Sequence, residues 1–324
     1  IYLNCHTYYS LRFGTFSELE LLQLAQQNQI KQLALTDINN TSACLNFVRE
    51  APKYDIKPIL GIDFRNGVVP CFVGIAKNNE GYQELNTFLS HHLHNDQEIP
   101  NKALHFENAF VIFPFESVLL NDLDAFAPNE FIGVSRKDLR RLPFSRVKEY
   151  RDRLVVLQTV TFRDKRDHNA HRLLRAIDNN VLLSKLDETE VANEDEKMYP
   201  PEHITEAFAE YPNILRNTQR LFDQCSIHFD FSKKRKPQNL KYYTGSKKED
   251  EALLEKRCLE GLQKRYQKVS EKVKNRLSKE LNLIKKMEFV SYFLVNWDII
   301  QYARKKGFYY VGRGSGANSI VAYL

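Results

Sequence analysis

Short apolar runs recur through the first half of the chain, each followed by a segment with helical spacing. This alternation limits the fold more than any other feature. Tyr2-Leu3, Leu33-Ala34-Leu35 and Ile59-Leu60-Gly61-Ile62 read as the first three strands. Phe72 to Ile75, Ala109 to Phe113, Phe131 to Val134 and Leu154 to Leu157 are further strand-like runs. Between them, Ser17-Glu18-Leu19-Glu20 has the form of a capping box, and Leu21, Leu22, Leu24 and Ala25 follow at helical spacing. Ala43 to Arg49 reads as another helix. Repeated βα units favour a mainly parallel sheet or barrel with helices outside. A barrel accounts for the number of strands, and an open doubly wound sheet is the alternative.

After His171 the pattern turns helical and ends near Cys225. Phe231 to Lys248 is basic, polar and rich in turn residues, with Lys233-Lys234-Arg235-Lys236-Pro237 and Thr244-Gly245-Ser246, which marks a domain boundary or an exposed loop. Beyond it, Val273, Leu277, Leu281 and Ile284 share one helical face, and Lys272, Lys274, Arg276, Lys279 and Lys285 take the opposite one. A length of 324 residues suggests two domains. Charge divides the chain at the same place. From Phe231 to Leu324 there are 22 Lys and Arg against 9 Asp and Glu, leaving 25 basic and 32 acidic residues in positions 1–230. A basic module of this kind suits a polyanion, because each cation set on a phosphate releases a counterion; a solvated basic helix face is the plainer reading.

Hydrophobic residues at 43% and charged residues at 27% exclude a disordered chain. Phe289 to Ile300, the longest apolar stretch, is broken by Ser291, Asn296 and Asp298, short of the roughly 20 apolar residues of a membrane span. No charged-then-apolar leader opens the chain, so a cytoplasmic location is expected. Cys5, Cys44, Cys71, Cys225 and Cys258 form an odd, scattered set, read as free thiols and small buried hydrophobes. Ile1 at the start and the apolar run ending at Leu324 point to a piece of a longer protein.

Three residues at strand ends are candidate metal ligands. His6 closes the first strand, where residues two apart share a face; Asp37 follows the second strand and Asp63 ends the third. In a βα barrel such strand ends carry the chemistry. Each also has a structural reading: His6 as a hydrogen-bonded core residue, Asp37 as a cap of the turn after it. His91-His92-Leu93-His94 reads as a solvated polar loop beside Asn95-Asp96. Near the other end, Gly312-Arg313-Gly314-Ser315-Gly316-Ala317-Asn318-Ser319 follows the strand-like Phe308 to Val311 and precedes an apolar run. A glycine-rich turn at a helix start admits a phosphate to the backbone N–H groups, Ser315 and Ser319 add hydroxyls, and Arg313 adds a two-pronged cation. A tight turn whose glycines serve packing fits the spacing equally well.

Leu3 to Ser10, Ala34-Leu35-Thr36-Asp37 and Ile56 to Gly61 resemble the opening of a PHP (polymerase and histidinol phosphatase) domain. More narrowly, they are similar to the start of the bacterial replicative DNA polymerase III alpha family. Ala76 to Tyr82 resembles that family's A-K-N-x-x-G-Y element, and His171 to Ile177 its H-x-x-L-x-A-I element. Glu260 to Tyr266, Glu280 to Asp298 and Gly312 to Ser319 resemble the same family. The resemblance implies an α/β fold: a distorted seven-stranded βα barrel followed by a mainly helical, incomplete polymerase palm. It divides the chain into a barrel over 1–225, a basic linker over 226–250 and a truncated palm over 251–324. Gly312, Arg313, Gly314, Ser315 and Ser319 would hold the triphosphate of an incoming nucleotide.

The departures from the family pattern concern metal. Its H-x-H becomes Asn4-x-His6, its aspartate-histidine pair becomes Asp37-Ile38, its glutamate becomes Asp63, a histidine becomes Cys71, and its late D-x-H becomes Thr159-x-Thr161. Only His6, Asp37 and Asp63 remain as vestigial ligands, so a metal-free barrel is expected, serving structure or docking. The family's catalytic aspartates follow the glycine-rich element, so no catalytic residue and no bound cofactor are expected within 1–324. The resemblance implies that the parent is a polymerase using Mg²⁺, primer-template DNA and dNTP, with sliding clamp, loader and a proofreading exonuclease as partners and no membrane. The alternative is a metal-dependent PHP phosphoesterase or 3′–5′ exonuclease.

Overall fold

The alternating signals of the first half become a mixed sheet with helices in the computed structural model, which describes residues 2–102, 105–121, 123–232 and 239–324. Two units separate, Ile1–Phe231 and Ser232–Leu324. The first opens with β1 (Asn4–Cys5), α1 (Glu18–Gln27), β2 (Gln32–Leu35), α2 (Cys44–Glu50), β3 (Lys57–Asn66) and β4 (Val69–Ala76). It continues with α3 (Asn79–His94), β5 (Ala109–Pro114), α4 (Phe115–Leu120), β6 (Glu130–Val134), β7 (Leu154–Val156) and β8 (Thr159–Val160). Helices α5 (Lys165–Asp178), α6 (Pro201–Ala207) and α7 (Pro212–Asp223) follow. The Ser17 capping box is present: the hydroxyl accepts from Glu20 N–H at 3.2 Å and the Glu20 carboxylate from Ser17 N–H at 2.8 Å.

Six strands form one curled sheet in the order β2-β3-β4-β5-β6-β7, and β1 pairs in parallel with β8. An isolated parallel bridge, Tyr2 to Leu33, links the pair to the edge of the larger sheet. The expected mainly parallel order is interrupted at β4, which runs antiparallel to both β3 and β5. The turn explains one of these pairings. Asn66 pairs with Val69, so Gly67 and Val68 alone connect the strands, and Gly67 has φ +59°. Two residues can join only antiparallel strands. Strand β3 also runs past Asp63 to Asn66, with a bulge between Phe64 and Arg65.

Side chains alternate between the two faces of the sheet. Leu33, Leu60, Phe64, Phe72 and Phe113 pack with Leu21, Leu22, Phe47 and Leu85 from the helices. Ala34, Ile59, Val73, Ile112 and Val155 face the other way and pack with Leu221, Phe222 and Cys225 at the end of α7. The histidines at 91, 92 and 94 correct an expectation. They form the last turn of α3, not a loop, and His92 is buried against Phe88, its Nδ1 2.9 Å from the Phe88 carbonyl.

The second unit consists of α8 (Lys247–Arg265), α9 (Glu271–Lys286), α10 (Val290–Lys306) and the short α11 (Ile320–Tyr323). Its core joins Leu254, Cys258 and Leu262 of α8 to Leu277 and Ile284 of α9, Leu294 of α10, and Ile320 and Val321. Asp250 is fully buried and accepts from Tyr243 N–H at 2.9 Å, Thr244 N–H at 2.7 Å and the Ser291 hydroxyl, tying the start of α8 to α10. Phe308 to Val311 is not a strand: it leaves α10 through Gly307 as exposed, irregular chain with no sheet partner among the described residues. Lys233 to Pro237, the heart of the expected basic linker, lies outside the described residues. All five cysteines are buried free thiols. No described helix is long and apolar enough to cross a membrane.

Candidate functional site

The β1–β8 pair brings Asn4, His6, Thr159 and Thr161 beside Asp63 of β3. Asn4 Nδ2 donates to Asp63 Oδ2 at 3.2 Å and to Thr159 Oγ1 at 3.1 Å. The His6 ring spans Asp63 and Thr161, with Nε2 2.9 Å from Asp63 Oδ2 and Nδ1 2.9 Å from Thr161 Oγ1. Thr161 in turn donates to Glu196 at 2.7 Å. Positions where the family pattern would place ligands are therefore hydrogen-bonded to one another. The Thr36 hydroxyl completes the ring by donating to Asn4 Oδ1 at 2.8 Å.

The dominant charge beside Asp63 is Arg65. Its Nε and Nη2 donate to Asp63 Oδ2 at 3.0 and 2.7 Å, and both residues are almost wholly buried. The guanidinium also lies 5.0 Å from the centre of the Phe13 ring. Burial alone would raise the Asp63 carboxyl, but Arg65 and His6 outweigh it and hold it well below the usual carboxylate range. Sequence reasoning missed Arg65 because it ended the third strand at Asp63. Had the strand been continued, the i, i+2 rule would have placed Arg65 on the same face.

Asp37 does not join this network. Its Oδ1 accepts from Thr7 N–H at 2.6 Å and the Ser10 hydroxyl at 2.7 Å, and its Oδ2 from the Thr7 hydroxyl at 2.8 Å. It thus caps the loop after β1, where the sequence suggested the turn after β2. Burial raises its carboxyl despite these donors. Cys71 is buried, within 3.7 Å of the Ile99 carbonyl, and Ile38 gives its backbone N–H to Ser10. Among the described residues no three His, Cys, Asp or Glu side chains gather to hold a metal ion. The donor set here does not fit a multinuclear centre, because Arg65 already covers Asp63 Oδ2.

In the second unit the predicted phosphate residues are treated unequally. Gly312, Arg313 and Gly314 are exposed, Gly314 has φ +91°, and Arg313 makes no hydrogen bond or ion pair with a described residue. Ser315 begins a 3-10 turn that ends at Asn318. Ser319 is already engaged: its hydroxyl donates to Glu280 Oε2 at 2.8 Å, and the same oxygen accepts from Ile320 N–H at 2.8 Å. Burial would raise the Glu280 carboxyl, but these donors and Arg276 lower it. Glu280 thus supplies the anion at the start of α11, a partner the sequence reading did not assign.

Residues 3–113 match the PHP domain, and residues 252–324 match the bacterial DNA polymerase III alpha NTPase domain. The two matched regions follow one another along the chain in that order. All of it is similar to DNA polymerase III subunit alpha of Bacillus subtilis (28% identical, 32% of that protein covered) and of Halalkalibacterium halodurans (25%, 31% covered). It is also similar throughout to the error-prone DNA polymerase of Symbiobacterium thermophilum (25%, 34% covered). The chain spans about a third of the length of these relatives.

Proposed function

We propose that the chain is part of a DNA polymerase that copies a primed template, in which the first unit is a non-catalytic PHP-type barrel and the second contributes to the incoming-nucleotide site. The single observation that carries this reading is the order of the two domain matches along a chain that is similar throughout to polymerase subunits. The exposed Gly312-Arg313-Gly314 turn is the element that would meet the triphosphate. Its free N–H groups and the unpaired guanidinium suit a polyanion, whereas Ser319 would reach a phosphate only by leaving Glu280. Mg²⁺ would be held by carboxylates other than Asp250 and Glu280, which are spent on backbone and hydroxyl donors. By this reading residues 1–324 alone neither polymerise nor hydrolyse phosphoesters. Primer-template DNA, dNTP, the sliding clamp, its loader and a proofreading exonuclease would be partners of the longer, cytoplasmic protein. The domain division proposed is a barrel over 1–225, a linker over 226–250 and a palm segment from 251.

A metal-dependent phosphoesterase or 3′–5′ exonuclease is the second reading, favoured by the PHP match alone. It requires Asp63 to leave Arg65. Primer extension by the longer polymerase tests the proposal. Arg313→Ala should lose a charge-assisted contact of about 1.5–3 kcal/mol, raising the nucleotide KM roughly tenfold to a hundredfold. If the contact tightens during transfer, kcat falls as well. Unchanged nucleotide kinetics in a stably folded Arg313→Ala polymerase would remove the phosphate role from the turn.

A further inference from the structure

We propose that Arg65 is the resident cation of the first unit: its guanidinium stands where a PHP site would hold a metal ion, and removing it opens a site for one divalent cation. The proposal rests on the reading of this site as non-catalytic and goes beyond it by naming the group that closes the site.

Four nitrogen contacts converge on one oxygen, Asp63 Oδ2: Asn4 at 3.2 Å, His6 at 2.9 Å, and two from Arg65 at 3.0 and 2.7 Å. The other oxygen, Asp63 Oδ1, is buried with no hydrogen-bond partner. Two of the four contacts come from Arg65, which brings a full positive charge to the buried carboxylate. Imidazole and carboxylate together are also ordinary ligands for Mn²⁺ or Zn²⁺, so His6 and Asp63 keep two donors of the right chemistry. What excludes a metal is Arg65. A divalent ion placed on Asp63 would face a guanidinium a few ångströms away in a buried setting, where like charges repel strongly.

Geometry explains how the replacement is held. Asp63 and Arg65 are two residues apart on β3 and share a face, across the bulge at Phe64/Arg65. The guanidinium rests against Phe13, whose carbonyl is fixed by His171 Nδ1 at 2.7 Å. Arg65 N–H is held by Asn39 Oδ1 at 3.1 Å, and Asn39 Nδ2 returns a bond to the Arg65 carbonyl at 2.8 Å. The cation is thus anchored at both its backbone and its head.

The test is thermal unfolding of the full 324-residue chain with Mn²⁺ as the probe. Wild-type Tm should not respond to millimolar Mn²⁺. Arg65→Ala leaves a buried charge without its partner and should lower Tm by roughly 10 °C, part of which Mn²⁺ restores. Arg65→Ala combined with Asp63→Asn should regain stability without Mn²⁺ and lose the Mn²⁺ response. An Arg65→Ala chain as stable as wild type, or destabilised but indifferent to Mn²⁺, overturns the proposal. If Arg65→Ala does not fold, the double variant decides. A folded double variant supports the charge argument, and an unfolded one reduces Arg65 to packing on Phe13. Elemental analysis of the wild-type chain separates the two levels. Two or more tightly held Mn or Zn ions would overturn the non-catalytic reading itself, whereas a metal-free wild type with an Mn²⁺-indifferent Arg65→Ala would sink only the present proposal.

Discussion

The carboxylate of Glu280 on α9 receives the Ser319 hydroxyl at 2.8 Å, so a side chain 39 positions earlier caps the last helix of the chain. The same Oε2 accepts the N–H of Ile320 at 2.8 Å. This places a fixed negative charge at a helix start, where it is favourable, and couples the glycine-rich turn to α9.

Glu280→Ala and Ser319→Ala should each destabilise the chain by about 1 kcal/mol, the usual value of a helix cap. Because both remove one interaction, the double variant should cost less than the two losses added together. Urea unfolding of the four proteins measures this. Fully additive losses would show that the contact contributes nothing.

His171 gives a pH dependence of defined sign. It is fully buried, its Nδ1 2.7 Å from the Phe13 carbonyl, while its Nε2 accepts from Ala192 N–H at 3.0 Å. The ring is therefore neutral and locked in one tautomer. Burial lowers it to about 4, against a partial rise from the Phe13 carbonyl. A lowered folded value means the unfolded chain binds the proton more readily. Stability is complete above about pH 6.5 and falls as pH drops toward 4, by about 3 kcal/mol. Carboxylates such as Asp63, held low by their partners, lose their contribution only at still lower pH. Denaturant midpoints at pH 7 and pH 4.5 should differ, and His171→Gln should flatten that difference. An equal slope in the variant would reassign the effect.

Nucleic-acid binding is expected of the basic second unit. The chain should bind DNA weakly, without sequence preference, with affinity falling steeply as salt rises. Fluorescence anisotropy at two salt concentrations, with the chain and with its 1–225 portion, separates the units. Equal binding by the 1–225 portion would refute the assignment.

Much of this architecture was legible from residue order because it depends on local rules. The strand-like runs between Leu33 and Val156 each give a strand, since a short continuous apolar run suits a strand covered on both faces. The Ser17–Glu20 capping box and the Leu277/Ile284 face of α9 are equally local. The order of the family-like elements was readable for the same reason: a motif is a stretch of sequence. Even the antiparallel turn at β4 left a signal in Asn66-Gly67, which an expectation of βα repeats passed over.

Contacts between distant segments were decided elsewhere. Phe308 to Val311 has strand composition, yet it is exposed and joins no sheet among the described residues, because a strand needs a neighbouring edge that composition does not supply. His92 looks polar in sequence and is buried because the last turn of α3 sets it on Phe88. The vestigial ligands were identified by motif, but only the fold showed that Asp37 caps the loop after β1 while Asp63 meets Arg65. The physical reason is one of range. Periodicity and capping act over a few residues and leave their mark in the sequence, whereas the fate of a buried charge depends on which partner the folded sheet brings within 3 Å.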